Sequence, residues 1–246
     1  MTSARERPAK AALSRDAIVT AGLRILQAEG LDAVTMRRVA TELDTGAASL
    51  YVYVANRDAM LEAMLDAVIG EMRLPPIEPG RWREQLVAAG IEIVATMDRY
   101  PGIARVAIGN VPTGDRALAN IEWTLALLRA GGLHDQTIAW GVDMFALFTT
   151  AASFENSVRA AGDVSFHDPA SAEDPAEMIR MRFASLPADR YPNIVAMVGP
   201  LTSGGEVDGH DARFVFGLEV FADGLWAHSE RLKQREQAAA QVKPKR

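Results

Sequence analysis

Apolar residues recur along this chain at intervals of three and four, the period of a helix, and β-branched runs that alternate with polar residues are scarce. Ile18, Leu23, Ile25 and Leu26, with Ala17 and Ala21, make one face of a first helix. Ser14 is its expected N-cap, Asp16 adds an acid to its first turn, and Gly30 closes it. A second, short helix starts at Thr35 and turns Val39, Ala40 and Leu43 inward. Asp44-Thr45-Gly46 is a tight turn, and a third short helix is expected over residues 47–54. Asn56 caps a fourth helix from Arg57 to Arg73, whose apolar positions are Met60, Leu61, Met64, Leu65, Val68 and Met72.

Leu74-Pro75-Pro76 and Pro79-Gly80 form the strongest break in the pattern and mark a domain boundary. Beyond it, helices are expected over residues 81–99, 103–109, 113–130, 135–161, 176–185, 192–198 and 210–234. The polar stretch 162–175 and the run LTSGGEVDGH read as loops. The expectation is therefore an all-α chain. A flexible arm spans residues 1–13, a helical N-terminal domain 14–74, a larger helical domain 80–236, and a flexible tail 237–246.

Composition narrows the chemistry. The 246 residues include no cysteine, so a disulfide framework, a thiolate metal site and a cysteine nucleophile are excluded. The four histidines lie far apart with no second ligand at helical spacing, so no metal site is expected. No phosphate-binding glycine loop or serine-nucleophile elbow occurs, and neither a cofactor nor an enzymatic activity is expected. The charged N-terminus is followed by no apolar core. The most apolar stretch, residues 138–154, is interrupted by Asp143, so no leader and no membrane span are expected and the expected location is the cytoplasm.

Net charge is −6, which by itself argues against nucleic acid as a partner. The charge is uneven, however. Residues 1–60 hold eight Lys/Arg against seven Asp/Glu, whereas residues 61–246 hold eighteen against twenty-five. Of the 26 basic residues, 22 are arginine, the side chain suited to bidentate contacts with phosphate and base edges.

The segment 35–57, TMRRVATELDTGAASLYVYVANR, has the spacing of a helix-turn-helix. Its second helix would present Ala47, Ala48, Ser49, Tyr51 and Tyr53 to a major groove. Thr35 and Arg37 stand at the start of the preceding helix, and Arg57 at the start of the next is a candidate phosphate clamp. The run from Ala17 to Leu65, above all Leu50-Tyr51-x-Tyr53-Val54-x-Asn56-Arg57-x-x-Met60-Leu61, resembles the DNA-binding domain of the TetR family of bacterial transcriptional regulators. Asp44 replaces the family's usual turn glycine, Tyr53 its frequent histidine, and Arg57 its lysine. WREQLVAAG, YPGIARVAIGN, LLRAGG, SFENSV and FVFGLEVFADGLWA resemble the C-terminal domain of the tetracycline-repressor subgroup.

The resemblance implies a ligand-responsive regulator, a repressor, in which a long helix joins the reading domain to a ligand-binding and dimerisation domain. Two subunits would read a palindromic operator, and a small effector would release them. Positions matching the subgroup's inducer pocket are Arg73, Ala89, Ile93, Ala107, Val111, Trp123, Leu147, Phe148 and Glu155. Most of them are apolar here, which implies a small apolar effector held without a metal. Phe214, Leu218, Phe221 and Leu225 step by four, three and four along the last helix, with Gly217 and Gly224 among them. Together with Val142, Phe145 and Thr149 they form either a homodimer interface or an intramolecular core stripe. The alternative to a repressor is a helical small-molecule-binding protein or enzyme of the same fold without operator binding.

Overall fold

The structure, a computed structural model, describes residues 12–109, 113–161, 175–207 and 209–242. The described chain is all-α apart from one two-residue strand pair. The helices are α1 (Arg15–Glu29), α2 (Met36–Glu42), α3 (Ala47–Leu50), α4 (Arg57–Ile69), α5 (Trp82–Asp98), α6 (Ile103–Ile108), α7 (Asp115–Ala130), α8 (Asp135–Ala160), α9 (Pro175–Ala184), α10 (Pro192–Ala196), α11 (Val198–Thr202) and α12 (Ala212–Val242). Strands β1 (Glu206–Val207) and β2 (His210–Asp211) pair antiparallel between α11 and α12. Strand β1 and the start of β2 fall in the run LTSGGEVDGH, whose Asp-Gly dipeptide is a hairpin signal that the loop reading of this stretch passes over.

The chain forms two compact units. The first comprises residues 1–73 and 95–120, the second 74–94 and 121–246. One division between the units falls at residues 73 and 74, beside the proline cluster, and the first unit also takes the end of α5, all of α6 and the start of α7.

In the first unit, the Ser14 hydroxyl accepts from the Ala17 N–H at 3.1 Å and starts α1. Ile18, Ala21, Ile25 and Leu26 are buried with Val39 and Ala40 of α2, Leu50 of α3 and Met60, Met64, Leu65 and Val68 of α4. Gly22 permits the close approach of α1 to α4, since a β-carbon there would lie 2.6 Å from Met64 Sδ. Two helices are shorter than expected. Regular α3 stops at Leu50, after which residues 51–53 continue as a turn, and α4 ends at Ile69 beside Gly70, before the proline cluster.

In the second unit, α12 lies along α8. Phe221 stacks on Phe145 with centroids 6.0 Å apart, and Phe214 stacks on Phe148 at 5.5 Å. Two glycines admit side chains from α12. Leu218 Cδ2 would lie 2.6 Å from a β-carbon at Gly90 of α5, and Leu225 Cδ2 2.9 Å from one at Gly141 of α8. Trp82 packs against Gly131, and the Arg83 guanidinium lies 4.6 and 4.9 Å from the rings of Trp82 and Trp226.

This packing bears on the two readings of the aromatic stripe. Phe145, Thr149, Leu218 and Leu225 are buried within one chain, while Phe214 and Phe221 stack on α8 of the same chain and Gly217 receives Phe148. Most of the stripe thus packs within one chain, while Val142, Phe214, Gly217 and Phe221 are half-buried and Gly224 is exposed. The neighbouring stripe faces outward instead: Trp140, Met144, Leu147 and Phe154 on α8, and Phe216 and Val220 on α12.

α8 is long and apolar enough by composition to cross a bilayer. Its inner side is closed by α12, and Asp143 and a Glu155–Arg159 ion pair stand on its exposed side. The last helix also runs further than the expected end near residue 234, through Val242. Residues 1–11 of the expected arm, 162–174 of the expected loop and 243–246 of the expected tail lie outside the described residues.

Leu218→Ala should lower the unfolding free energy by about 2–5 kcal/mol, the cost of a core cavity. A urea titration followed by circular dichroism checks this, and a change near zero would place Leu218 outside the core.

Candidate nucleic-acid interface and effector residues

The helix-turn-helix is built by capping and by one left-handed residue. The Thr35 hydroxyl accepts from the Arg38 N–H at 3.1 Å and opens α2. At its end Asp44 takes φ 50°, the single described non-glycine residue in the left-handed region. The Asp44 N–H bonds the Thr41 carbonyl at 3.0 Å and the Thr45 N–H bonds the Ala40 carbonyl at 2.9 Å. That pair of bonds is a Schellman turn, and aspartate tolerates its left-handed position. Buried Val34, Val39, Leu50 and Val54 lock the two short helices together.

What remains outward is a compact tip. Ala48, Ser49, Tyr51 and Tyr53 are exposed and Ala47 is half-buried. Val52, which the spacing argument does not single out, is 80% exposed. An apolar side chain that stands open between two tyrosines was visible in the sequence as a residue without a core position. Thr35 and Arg37 are exposed on α2 beside this tip. Arg38 is turned away from it. Its guanidinium bonds both carboxylate oxygens of Glu29 and also reaches Glu42 at 3.0 Å. Those hydrogen bonds hold the Glu29 carboxyl below the usual carboxylate range and push the Arg38 guanidinium further up.

Arg57 differs most from its expected role. Its Nε donates to the Val34 carbonyl at 2.7 Å and its Nη2 to the Leu31 carbonyl at 3.0 Å. The side chain therefore fastens the first turn of α4 to the segment that leads into α2, where it is half-buried. Asn56 caps the same turn through Oδ1, which accepts from the Ala59 N–H at 2.8 Å. The expected phosphate clamp is a structural bolt.

The expected effector residues separate into those that face inward and those that do not. Ala89 and Ile93 are buried on one face of α5. Thr96 continues that face at the next helical step and is fully buried, and its hydroxyl has no hydrogen-bond partner among the described residues. The i, i+4, i+7 spacing from Ala89 would have found it in the sequence. Trp123 of α7 is half-buried, and its indole N–H donates to the Pro75 carbonyl at 2.9 Å. Ala107 is half-buried on α6, and Arg73 is exposed just after α4.

Three residues of α8 do not fit the expected role. Leu147 is 61% exposed, because two residues from buried Phe145 a helix has turned about 200°. Phe148 is committed to its stack with Phe214. Exposed Glu155 is bonded by Arg159 at 2.8 Å and Arg213 at 2.9 Å in a surface ion cluster. Val111 lies outside the described residues. Among the described residues no group of three or more histidine, aspartate or glutamate side chains could hold a metal.

A helix-turn-helix with a bare reading tip, carried on a larger helical chain, defines a DNA-binding protein. Residues 18–64 match the family described as bacterial regulatory proteins, tetR family, and residues 74–229 match the tetracyclin repressor-like C-terminal domain. The chain belongs to the TetR family. It is 32% identical over 219 residues to the HTH-type transcriptional repressor DrrR1 of Streptomyces coeruleorubidus, covering 88% of this chain and 78% of that one. The tetracycline repressor protein class G of Vibrio anguillarum is 26% identical, over 90% of this chain and 95% of its own. Among solved structures, Streptomyces coelicolor ActR in complex with actinorhodin has a TM-score of 0.77 at 42% identity, covering 89% of this chain and 99% of that chain. The chain is thus a DNA-binding transcriptional regulator.

Arg57→Ala should destabilise the first unit by about 1–3 kcal/mol, because two backbone carbonyls lose their donor. The loss is read as a fall in the thermal midpoint of the DNA-free protein. An unchanged midpoint would return Arg57 to the role of a surface clamp.

Proposed function

We propose that this chain is a cytoplasmic repressor that two subunits place on a palindromic operator and that an apolar, ring-bearing effector releases. The observation that carries the DNA-reading part is the exposed tip Ser49-Leu50-Tyr51-Val52-Tyr53, in which only Leu50 is buried. Tyr51 and Tyr53 supply hydroxyls for phosphates, and the small residues Ala47, Ala48 and Ser49 let the helix enter deeply. Val52 meets a thymine methyl, and Arg37 reaches a base edge or phosphate. Half-sites one helical turn apart, about 34–36 Å, suit a dimer of such units.

The dimer is best formed by the outward stripe of α8 and α12, namely Trp140, Met144, Leu147, Phe154, Phe216 and Val220, since an apolar face of this extent is rare on a monomer. The effector contacts are Ala89 and Ile93 on α5 and Trp123 on α7. Thr96 supplies a hydrogen bond to one polar atom of the effector, because a buried hydroxyl without a partner costs free energy until something pairs with it. Solved complexes of ActR with actinorhodin and with (S)-DNPA support an organic effector.

Binding to DNA upstream of the chain's own gene tests the DNA-reading part. Arg37→Ala should weaken it by about 1–3 kcal/mol and relax sequence preference. Wild-type binding by this variant at moderate salt would contradict the docking. For the effector, Thr96→Val should leave thermal stability equal or higher while weakening actinorhodin binding about tenfold, the size of one hydrogen bond. Lower stability with unchanged binding would make Thr96 a purely structural residue.

A further inference from the structure

Helix α7 opens without a capping side chain of its own, because the residue before Asp115 is Gly114. The cap comes from another helix. Asp66 of α4 accepts through Oδ1 from the backbone N–H of Arg116 at 3.1 Å and of Ala117 at 3.0 Å. These are the second and third helical positions, where an N-cap oxygen bonds, and a carboxylate there also faces the positive end of the helix. Gly114 is required for this approach, since a β-carbon at that position would overlap the Asp66 carboxylate.

The cap is one rung of a ladder. Thr113 Oγ1 donates to Glu62 Oε1 at 2.7 Å, the Arg116 side chain lies over the bare backbone of Gly70, and Asn120 Nδ2 reaches Met72 Sδ at 3.4 Å. Glu62, Asp66 and Gly70 follow one another at steps of four, so a single face of α4 meets the start of α7, and the two run in the same direction. At its other end α4 is bolted to the entry of α2 by Arg57. Beyond Asn120, α7 continues as one helix and carries Trp123.

We infer that Asp66 is the positioning residue through which effector binding reaches the operator-reading tip, its carboxylate capping α7 so that a shift of that helix moves α4 and, through Arg57, α2. The inference rests on the effector-released repressor proposed above. A cap supplied within α7 would stabilise that helix equally well. A cap supplied from α4 in addition makes the first turn of α7 and the middle of α4 one mechanical element.

That difference is testable, because the two roles can be separated. In the wild-type protein, saturating actinorhodin should raise the operator Kd at least about tenfold. In Asp66→Ala the rise should fall below about threefold, with the affinities for DNA alone and actinorhodin alone unchanged within about twofold. Asp66→Asn keeps a side-chain oxygen that can accept from the Arg116 and Ala117 N–H groups, and it should keep the coupling within about twofold of the wild type. Full coupling in Asp66→Ala, or coupling lost equally in Asp66→Asn, would overturn the inference. If actinorhodin does not bind the wild-type protein, the effector reading fails, and hydrogen exchange decides for Asp66. Operator binding should then slow exchange of the Arg116 and Ala117 amides in the wild type and leave it unchanged in Asp66→Ala. No slowing in the wild type would overturn the role of Asp66.

Discussion

The arrangement of the reading tip depends on one guanidinium placed between two carbonyls. Leu31 and Val34 sit in the short passage between α1 and α2, and Arg57 donates to the carbonyls of both from the first turn of α4. Arginine suits the task because its planar fork serves two acceptors at once. With α4 fastened there, the left-handed Asp44 turn and the buried Leu50 fix the second short helix relative to α4. The bare tip then has a defined direction without being held by contacts of its own. That is what a reading surface requires, since every group bonded internally is lost to the DNA.

The second unit is governed by how α8 and α12 share their aromatic residues. Phe145 and Phe148 take the inner side with Phe221 and Phe214, and glycines at 90, 141 and 217 admit the bulky partners. The helical turn then leaves Trp140, Met144, Leu147 and Phe216 on the outer side. The helix therefore carries two apolar faces, an internal one along α12 and an exposed one, the face proposed above for a second copy. The buried threonine hydroxyl of Thr149 bonds back to the Phe145 carbonyl at 2.9 Å, so the inner face carries polar residues without leaving them unpaired.

Much of this was readable in the residues, and the misses have physical causes. The caps Ser14, Thr35 and Asn56, the left-handed Asp44 and the break at Pro75-Pro76 are local signals, and each stands where the chain places it. The aromatic stripe of α12 was ambiguous because a period of three and four describes an inner and an outer face equally well; only the position of α8 settles which residues are inside. Arg57 was assigned from its place at the start of a helix, and Phe148 and Glu155 by correspondence with relatives; Val34, Phe214 and Arg213, which hold them, lie 23, 66 and 58 residues away in sequence. Asp66 left no mark in any motif, since its partners are backbone N–H groups about fifty residues distant. Hydrogen bonds of that kind depend on the fold and carry no residue signature.

The central claim is that α4 moves the reading tips when an effector binds, and one distance measures it. The absence of cysteine allows a single spin label at Ala28→Cys, an exposed position near the end of α1, the helix packed against α4. Pulsed dipolar spectroscopy then reports the separation of the two labels in the dimer. Bound to operator, the labels should show one narrow separation, and adding actinorhodin should shift it by at least about 1–2 Å, the scale of helix displacements at allosteric interfaces, as DNA is released. Release of DNA with the separation unchanged would contradict the account.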